Sequence, residues 1–282
     1  MIPSSFTYKK ASSVSDALAM LREHGDEATL LAGGHSLIPA LKLRLNDYGY
    51  LIDISKISEL KSIDDKGDHI EIGAGVTHGE IVDSALMQSK VPFFSEAADL
   101  IGDVQVRNMG TIGGSIAHAD PAADWPALLL AADATINIHN GSSTRSVAAA
   151  DFFQGLFHTA VEEGEMITSI SVPVSANAKT KYIKFMQPAS RFAIVGCAVN
   201  LEMSGDRISS AKVAYAGVSA APFRDSAVEA ALAGKSLDDA TIEAAGNAAA
   251  DSASIMSDHF ASESYRKQMA KVYTKRALRA IA

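Results

Sequence analysis

The sequence predicts an α+β chain of two domains, and three observations carry that prediction. Residues 13–54 alternate helical and strand patterns around a glycine-rich turn; residues 55–175 read as further strands, helices and a hairpin; and after a break at Pro173–Lys179 come three strand patterns followed by alanine-rich helices. The first two stretches make a two-lobed domain over 1–175, with a small βαβ-like lobe (about 1–54) and a mixed α+β lobe (55–175). Residues 176–282 make a C-terminal domain of three-stranded antiparallel sheet with helices.

In the first lobe, Val14, Ala17, Leu18 and Leu21 fall at i, i+3, i+4 and i+7, which predicts a helix over Ser13–Glu23 stopped by Gly25. Ala28–Leu31 is a short strand, Leu37–Leu45 a short helix and Tyr50–Ile54 an apolar strand, so a glycine turn sits at a strand's carboxyl end, where ligands of open α/β sheets bind. The second lobe opens with the alternating strand His69–Gly73 and a capping box, Thr77-His-Gly-Glu80, that starts a helix through Leu86. Ser95–Ile101 is helical, and Pro126 suits the first turn of a helix to Ala131, just after Asp124. Thr135–His139 and Ser143–Val147 flank Asn140-Gly141, a strong hairpin signal, and Met166–Val172 is the last strand of the lobe. Beyond the break, Lys181–Met186, Ile194–Met203 and Ile208–Gly217 read as strands; the chain turns helical from Ser226 and ends on an apolar stripe including Tyr265, Met269 and Tyr273.

Composition removes several classes of function. At 282 residues and 48% hydrophobic, the chain can bury two cores, and a net charge of −8 lacks the basic face that nucleic-acid binding requires. No stretch reaches the ~18 consecutive apolar residues of a membrane span, and the start lacks a secretory pattern, so the expected location is cytoplasmic. The single cysteine, Cys197, lies in an apolar strand and cannot supply the thiolates of an iron–sulfur cluster. No spacing of His, Cys, Asp or Glu predicts a metal site, and Asp151, Glu162, Glu163 and Glu165 form no paired acid–base motif.

Two glycine-rich stretches carry the chemistry: Leu31-Ala-Gly-Gly-His-Ser-Leu37 and Asn108-Met-Gly-Thr-Ile-Gly-Gly-Ser-Ile116. Glycine reaches positive φ and lets a ligand approach the main chain, while Ser36, Thr111 and Ser115 add hydroxyl donors; two such loops meeting would make a pyrophosphate site. The reading without a ligand is a pair of tight turns.

Ala32-Gly-Gly-His-Ser36 and Thr111-Ile-Gly-Gly-Ser115, with Asp120-Pro-Ala-Ala-Asp124 after them, resemble the FAD-binding medium subunit of the molybdenum hydroxylases, of the carbon monoxide dehydrogenase and xanthine dehydrogenase type. The resemblance continues through Leu41–Leu45, Leu51–Ile54 and Lys184–Gly196. It implies a PCMH-type FAD-binding domain followed by a CO dehydrogenase flavoprotein C-terminal domain. It further implies that Leu31, Ala32, Gly33, Gly34, His35, Ser36 and Leu37 cradle the pyrophosphate of a noncovalent FAD, with the helix opening at Leu37 adding its partial positive charge. Gly110, Thr111, Gly113, Gly114 and Ser115 would close over the phosphates and ribityl chain, Ile101 and Ile167 would pack on the cofactor, and Asp124 would take the adenosine ribose. Lys184 would reach the isoalloxazine and stabilise negative charge on the reduced ring, with Phe192 an aromatic neighbour. Arg107, Asn108, His118 and Asp120 remain open between loop scaffold and ligand contact, and Gln187 and Pro188 stand where related chains often carry an arginine.

The function so implied is electron transfer. A small subunit with [2Fe–2S] clusters and a large subunit with a molybdenum–cytosine dinucleotide cofactor would complete a dimer of heterotrimers, and electrons would leave through FAD to a quinone, NAD or a cytochrome. The substrate, whether carbon monoxide, an aldehyde or an N-heterocycle, is not encoded in this chain. Two rivals stand beside that reading. Gly-Gly-His-Ser also resembles the loop of vanillyl-alcohol oxidase-like flavoenzymes, in which the histidine can bond to the flavin and substrate reacts directly at FAD. The other is a non-enzymatic nucleotide-binding or assembly protein.

Overall fold

The computed structural model describes all 282 residues. Its first lobe is a three-stranded parallel sheet in the order Thr7–Lys10, Tyr50–Asp53, Ala28–Leu31. The helix Val14–His24 packs on it, capped by Ser13, whose hydroxyl accepts from Asp16 N–H. Thr7–Lys10 escapes the sequence reading because three of its four residues are exposed, which leaves no apolar alternation to see.

The second lobe is a five-stranded antiparallel sheet in the order Ile63–Asp65, His69–Gly73, Met166–Pro173, Thr135–His139, Thr144–Ala148. The hairpin at Asn140-Gly141 forms as expected, with Gly141 at φ 89°. Thr77 and Glu80 form the complete capping box, but the helix it opens stops at Asp83. Ser84 ends that helix and caps a new one, Ala85–Lys90, through its hydroxyl, so the single helix expected through Leu86 is two. The helix expected over Ser95–Ile101 starts earlier, at Pro92, and runs to Asp99.

The larger departure lies in the second glycine stretch, which is no loop. Val104–Met109, capped by Asp103, and Ile112–His118, capped by Thr111, are helices, and only Gly110 and Thr111 separate them. Gly113 and Gly114 are tolerated in a first helical turn because tertiary contact offsets their poor helix propensity. Gly113 lies hard against Ala74, and its N–H donates to the Ala74 carbonyl at 2.9 Å.

The C-terminal sheet orders Ala178–Met186, Ala193–Ser204, Arg207–Ala216 and Phe223–Arg224, all antiparallel. Its fourth strand, two residues long, adds to the three expected. The helices Ser226–Leu232, Asp239–Ala248 and Glu263–Arg279 cover one face. The other face, through Tyr182, Ala193, Ala198, Ala214 and Ala216, joins the core of the second lobe. There it meets the helix Asp124–Ala131, which is buried along its whole length. Small alanines on that sheet face allow the helix to approach closely. No helix is long and apolar enough to cross a membrane.

Candidate functional site: a dinucleotide cavity between the lobes

The strand Ala28–Leu31 ends at the first glycine stretch, which turns into the six-residue helix Leu37–Lys42. Gly34 has φ 73°, a conformation that a Cβ would strain. A Cβ on Gly33 would run into the backbone of Met109 and Gly110, so the two glycine stretches touch. Within the chain, no hydrogen bond engages the N–H groups of Gly33, Gly34, His35, Ser36 or Leu37. Successive unengaged N–H groups in a turn form an anion-binding concavity.

That concavity opens into a cavity of about 720 Å³ shared by both lobes and the C-terminal domain. The volume falls within the ~300–1,000 Å³ of small-molecule and cofactor sites. Of the expected site residues, Ala32, Gly33, Gly34, His35, Ser36, Leu37, Ile101, Gly110, Thr111, Gly113, Gly114, Ser115, Asp124 and Ile167 all line it. Leu31 and Lys184 do not. Leu31 is the last residue of its strand, and its side chain lies beneath Gly34.

The second stretch lines the cavity differently from its expected role. The N–H groups of Ile112, Gly113 and Gly114 already donate to Val76 O, Ala74 O and Thr111 Oγ1, at 3.0, 2.9 and 3.0 Å. They are held by the fold, which leaves Ser115 on the exposed side of the helix as the residue with a hydroxyl to offer. Gly114 contributes the absence of a side chain: a Cβ there would meet only the Thr111 hydroxyl closely and would otherwise point into open space.

Asp124 is the first residue of its helix and is 4% exposed. Its Oδ2 lies 2.9 Å from Lys184 Nζ and its Oδ1 accepts from the Tyr182 hydroxyl at 2.5 Å. Burial pushes the Asp124 carboxyl above its ordinary range, and the Lys184 charge and the two hydrogen bonds pull it back. Lys184, enclosed completely, gives a further bond to Leu100 O at 3.2 Å. The lysine expected against the isoalloxazine therefore stands behind the cavity wall, where its partner is a carboxylate.

Among the lining residues that the sequence does not mark are His78 and Glu165. His78 is buried; its Nδ1 accepts from Trp125 Nε1–H at 3.2 Å, which leaves the proton of the neutral ring on Nε2. Burial, with His35 and Arg107 nearby, holds its pKa down to about 3. In the sequence it was one residue of a capping box, with no spacing to mark it. Glu165 is held by Arg145 through Oε1 at 2.9 Å and Oε2 at 2.6 Å, and this partner keeps its carboxyl below the usual range. Of the residues left open, His118 and Asp120 line the cavity, whereas Arg107 ties its guanidinium to the carbonyls of Asp99 and Ile101.

A cleft of this depth between α+β lobes, floored by unengaged N–H groups and closed by a third unit, defines a nucleotide-binding chain of the pyrophosphate-cradling class. Comparison with known proteins gives the family. Residues 4–175 match the FAD binding domain in molybdopterin dehydrogenase, and residues 180–281 match the CO dehydrogenase flavoprotein C-terminal domain. The glyceraldehyde dehydrogenase medium chain of Sulfolobus acidocaldarius is 40% identical over 282 residues, covering 100% of each chain. The carbon monoxide dehydrogenase of Hydrogenophaga pseudoflava, solved in a form lacking the Mo-pyranopterin moiety of the molybdenum cofactor, superposes with a TM-score of 0.96 at 40% identity, covering 100% of this chain and 98% of that one. Quinoline 2-oxidoreductase from Pseudomonas putida 86 superposes at 0.94 with 30% identity over 100% and 98% of the two chains. The chain belongs to the FAD-binding medium-subunit family of the molybdenum hydroxylases, of the CO dehydrogenase type, whose members are oxidoreductase subunits.

Proposed function

We propose that this chain is the electron-transfer subunit of a molybdenum-containing hydroxylase. It would hold FAD noncovalently between [2Fe–2S] clusters on a small partner subunit and an external acceptor such as a quinone, NAD or a cytochrome. A large partner would carry the molybdenum–cytosine dinucleotide, and two heterotrimers would pair. FAD supplies, when bound, a redox centre that exchanges electrons singly or in pairs. The observation that carries the reading is the row of unengaged N–H groups from Gly33 to Leu37. These bind the pyrophosphate without any lysine in the cradle, aided by the hydroxyls of Ser36 and Ser115. Ile101 and Ile167 exclude water from the cavity wall, and Asp124, oriented by Tyr182 and Lys184, presents its carboxylate to a ribose hydroxyl. Residues 1–175 and 176–282 would form the two domains, with the cavity between the lobes of the first and edged by Ser190, Arg191 and Phe192 of the second.

The names of the relatives favour a multi-chain enzyme over a self-contained flavin oxidase, because the glyceraldehyde and carbon monoxide dehydrogenase relatives are medium chains. The relatives are named for different substrates, glyceraldehyde, carbon monoxide and quinoline. The test is the absorption spectrum of the purified chain before and after acid precipitation. Flavin bands that move wholly to the supernatant support noncovalent FAD. Colour kept in the pellet points to a bond through His35 and to the self-contained oxidase, and a chain that cannot be reconstituted with FAD removes the reading.

A further inference from the structure

Of the ionisable side chains that line the cavity, Asp120, Asp124 and Glu165 are acidic, His35, His78 and His118 are imidazoles, and Arg191 is the one lysine or arginine. Each acid is already engaged: Asp124 by Lys184 and Tyr182, Glu165 by Arg145, and Asp120 by the N–H of Ala122 at 2.9 Å. Arg191 is not. Its Nε is buried without a hydrogen-bond partner, although a guanidinium normally fills its donors when it leaves water. Its backbone is also held at φ 62°, a region that costs a non-glycine residue stability and that persists only where surrounding structure enforces it.

The enforcing structure is the loop between the strands Ala178–Met186 and Ala193–Ser204. Arg191 N–H donates to Gln187 O at 2.8 Å, Gln187 N–H donates to Phe192 O at 2.8 Å, and Ser190 N–H donates to Gln187 Oε1. Ala193 N–H then pins the loop to Ala122 O at 3.0 Å, beside the carboxyl end of the helix Ile112–His118. The glycines lie at the other end of that helix, and seven residues at 1.5 Å each separate the two ends by roughly 10 Å. Arg191 thus belongs to a loop pinned beyond the carboxyl end of that helix, apart from the Gly33–Leu37 cradle in the fold, and next to Phe192, which is 44% exposed.

We infer that Arg191, and not Lys184, is the cation that faces the isoalloxazine of bound FAD and favours its reduced form. The inference rests on the FAD reading above. Uptake of two electrons and one proton, with the electrons delivered by the partner's clusters or by a chemical reductant, leaves the ring one negative charge richer. The pyrophosphate carries the same charge in both redox states, so only a guanidinium beside the ring would favour the reduced form over the oxidised one. A charge already held in the cavity wall, with no partner of its own, would stabilise that added charge without reorganising.

The experiment uses the full-length chain and its Arg191→Met and Arg191→Lys variants, loaded with FAD and titrated with dithionite, together with binding of ADP, which carries the adenine and pyrophosphate without the ring. Wild-type chain that fails to bind FAD or ADP sinks the functional reading and leaves nothing for Arg191 to do. With that reading intact, Arg191→Met lowers the affinity for reduced relative to oxidised FAD tenfold or more, about 30 mV for a two-electron couple. Arg191→Lys restores at least half of the shift, and ADP affinity stays within twofold throughout. An unchanged potential in Arg191→Met overturns the inference, and so does a parallel loss of ADP affinity, which would put the guanidinium on the phosphates. If Arg191→Met does not fold, Arg191→Gly, which tolerates φ 62°, gives the same reading.

Discussion

The Lys184 ammonium and the Asp124 carboxylate lie 2.9 Å apart, both buried, and tie the first strand of the C-terminal sheet to the helix that walls the cofactor cavity. A lysine with no exposed surface has no water to fall back on. Replacing one partner strands the other, at a cost of about 3–5 kcal/mol. Lys184→Met should therefore lower stability by that order in urea denaturation, and the double variant Asp124→Asn/Lys184→Met should recover a large part. A Lys184→Met chain as stable as wild type would show that the pair carries no structural weight.

His78 gives stability a pH dependence whose sign is fixed. Its folded pKa, about 3, lies below its ordinary 6.5, so the unfolded chain binds a proton the folded chain refuses. The contribution is whole above pH 6.5 and is lost progressively as pH falls toward 3, at up to ~1.4 kcal/mol per unit. His78→Asn, which keeps an acceptor for the Trp125 N–H, should flatten the stability curve over that window. An identical slope in the variant would mean that the histidine is not the group responsible.

The glycines of the second stretch separate by role. Gly113→Val should impair folding, because any side chain there collides with Ala74. Gly114→Val should fold, with native circular dichroism, yet purify with little flavin, because its side chain enters the cavity. Full flavin content in a folded Gly114→Val chain would exclude this helix from the cofactor's path.

Gly34→Ala isolates the cradle itself. Holding alanine at φ 73° costs about 1–2 kcal/mol, and relaxing that strain turns the neighbouring N–H groups out of alignment. FAD affinity should fall at least tenfold by fluorescence titration, against a modest loss of melting temperature. A large thermal loss with unchanged affinity would make Gly34 a structural turn and nothing more.

Local hydrogen bonding is what the sequence displays most openly. Ser13, the Thr77–Glu80 box and Asn140-Gly141 each satisfy backbone groups within four residues, and each stands where residue order alone puts it. Gly113 and Gly114 defeat the same reasoning, since their helix is completed by carbonyls of Ala74 and Val76, some forty residues away. Lys184 is missing from the cavity lining for a related reason: the partner that claims it, Asp124, is sixty residues distant. His78 and Arg191 are visible only in three dimensions, the first through burial and the second through the lack of any partner.

The placement of Met166–Pro173 at the centre of its sheet, between His69–Gly73 and Thr135–His139, fixes when a cofactor can first be captured. As the chain leaves the ribosome, the Gly33–Leu37 cradle emerges early, but the wall containing Ile167 follows some 130 residues later and Arg191 later still. Pairing across such separations carries a loop-closure cost that only the assembled sheet repays. A chain that stopped short of Ile167 would hold the Gly33–Leu37 cradle with only part of the cavity wall around it.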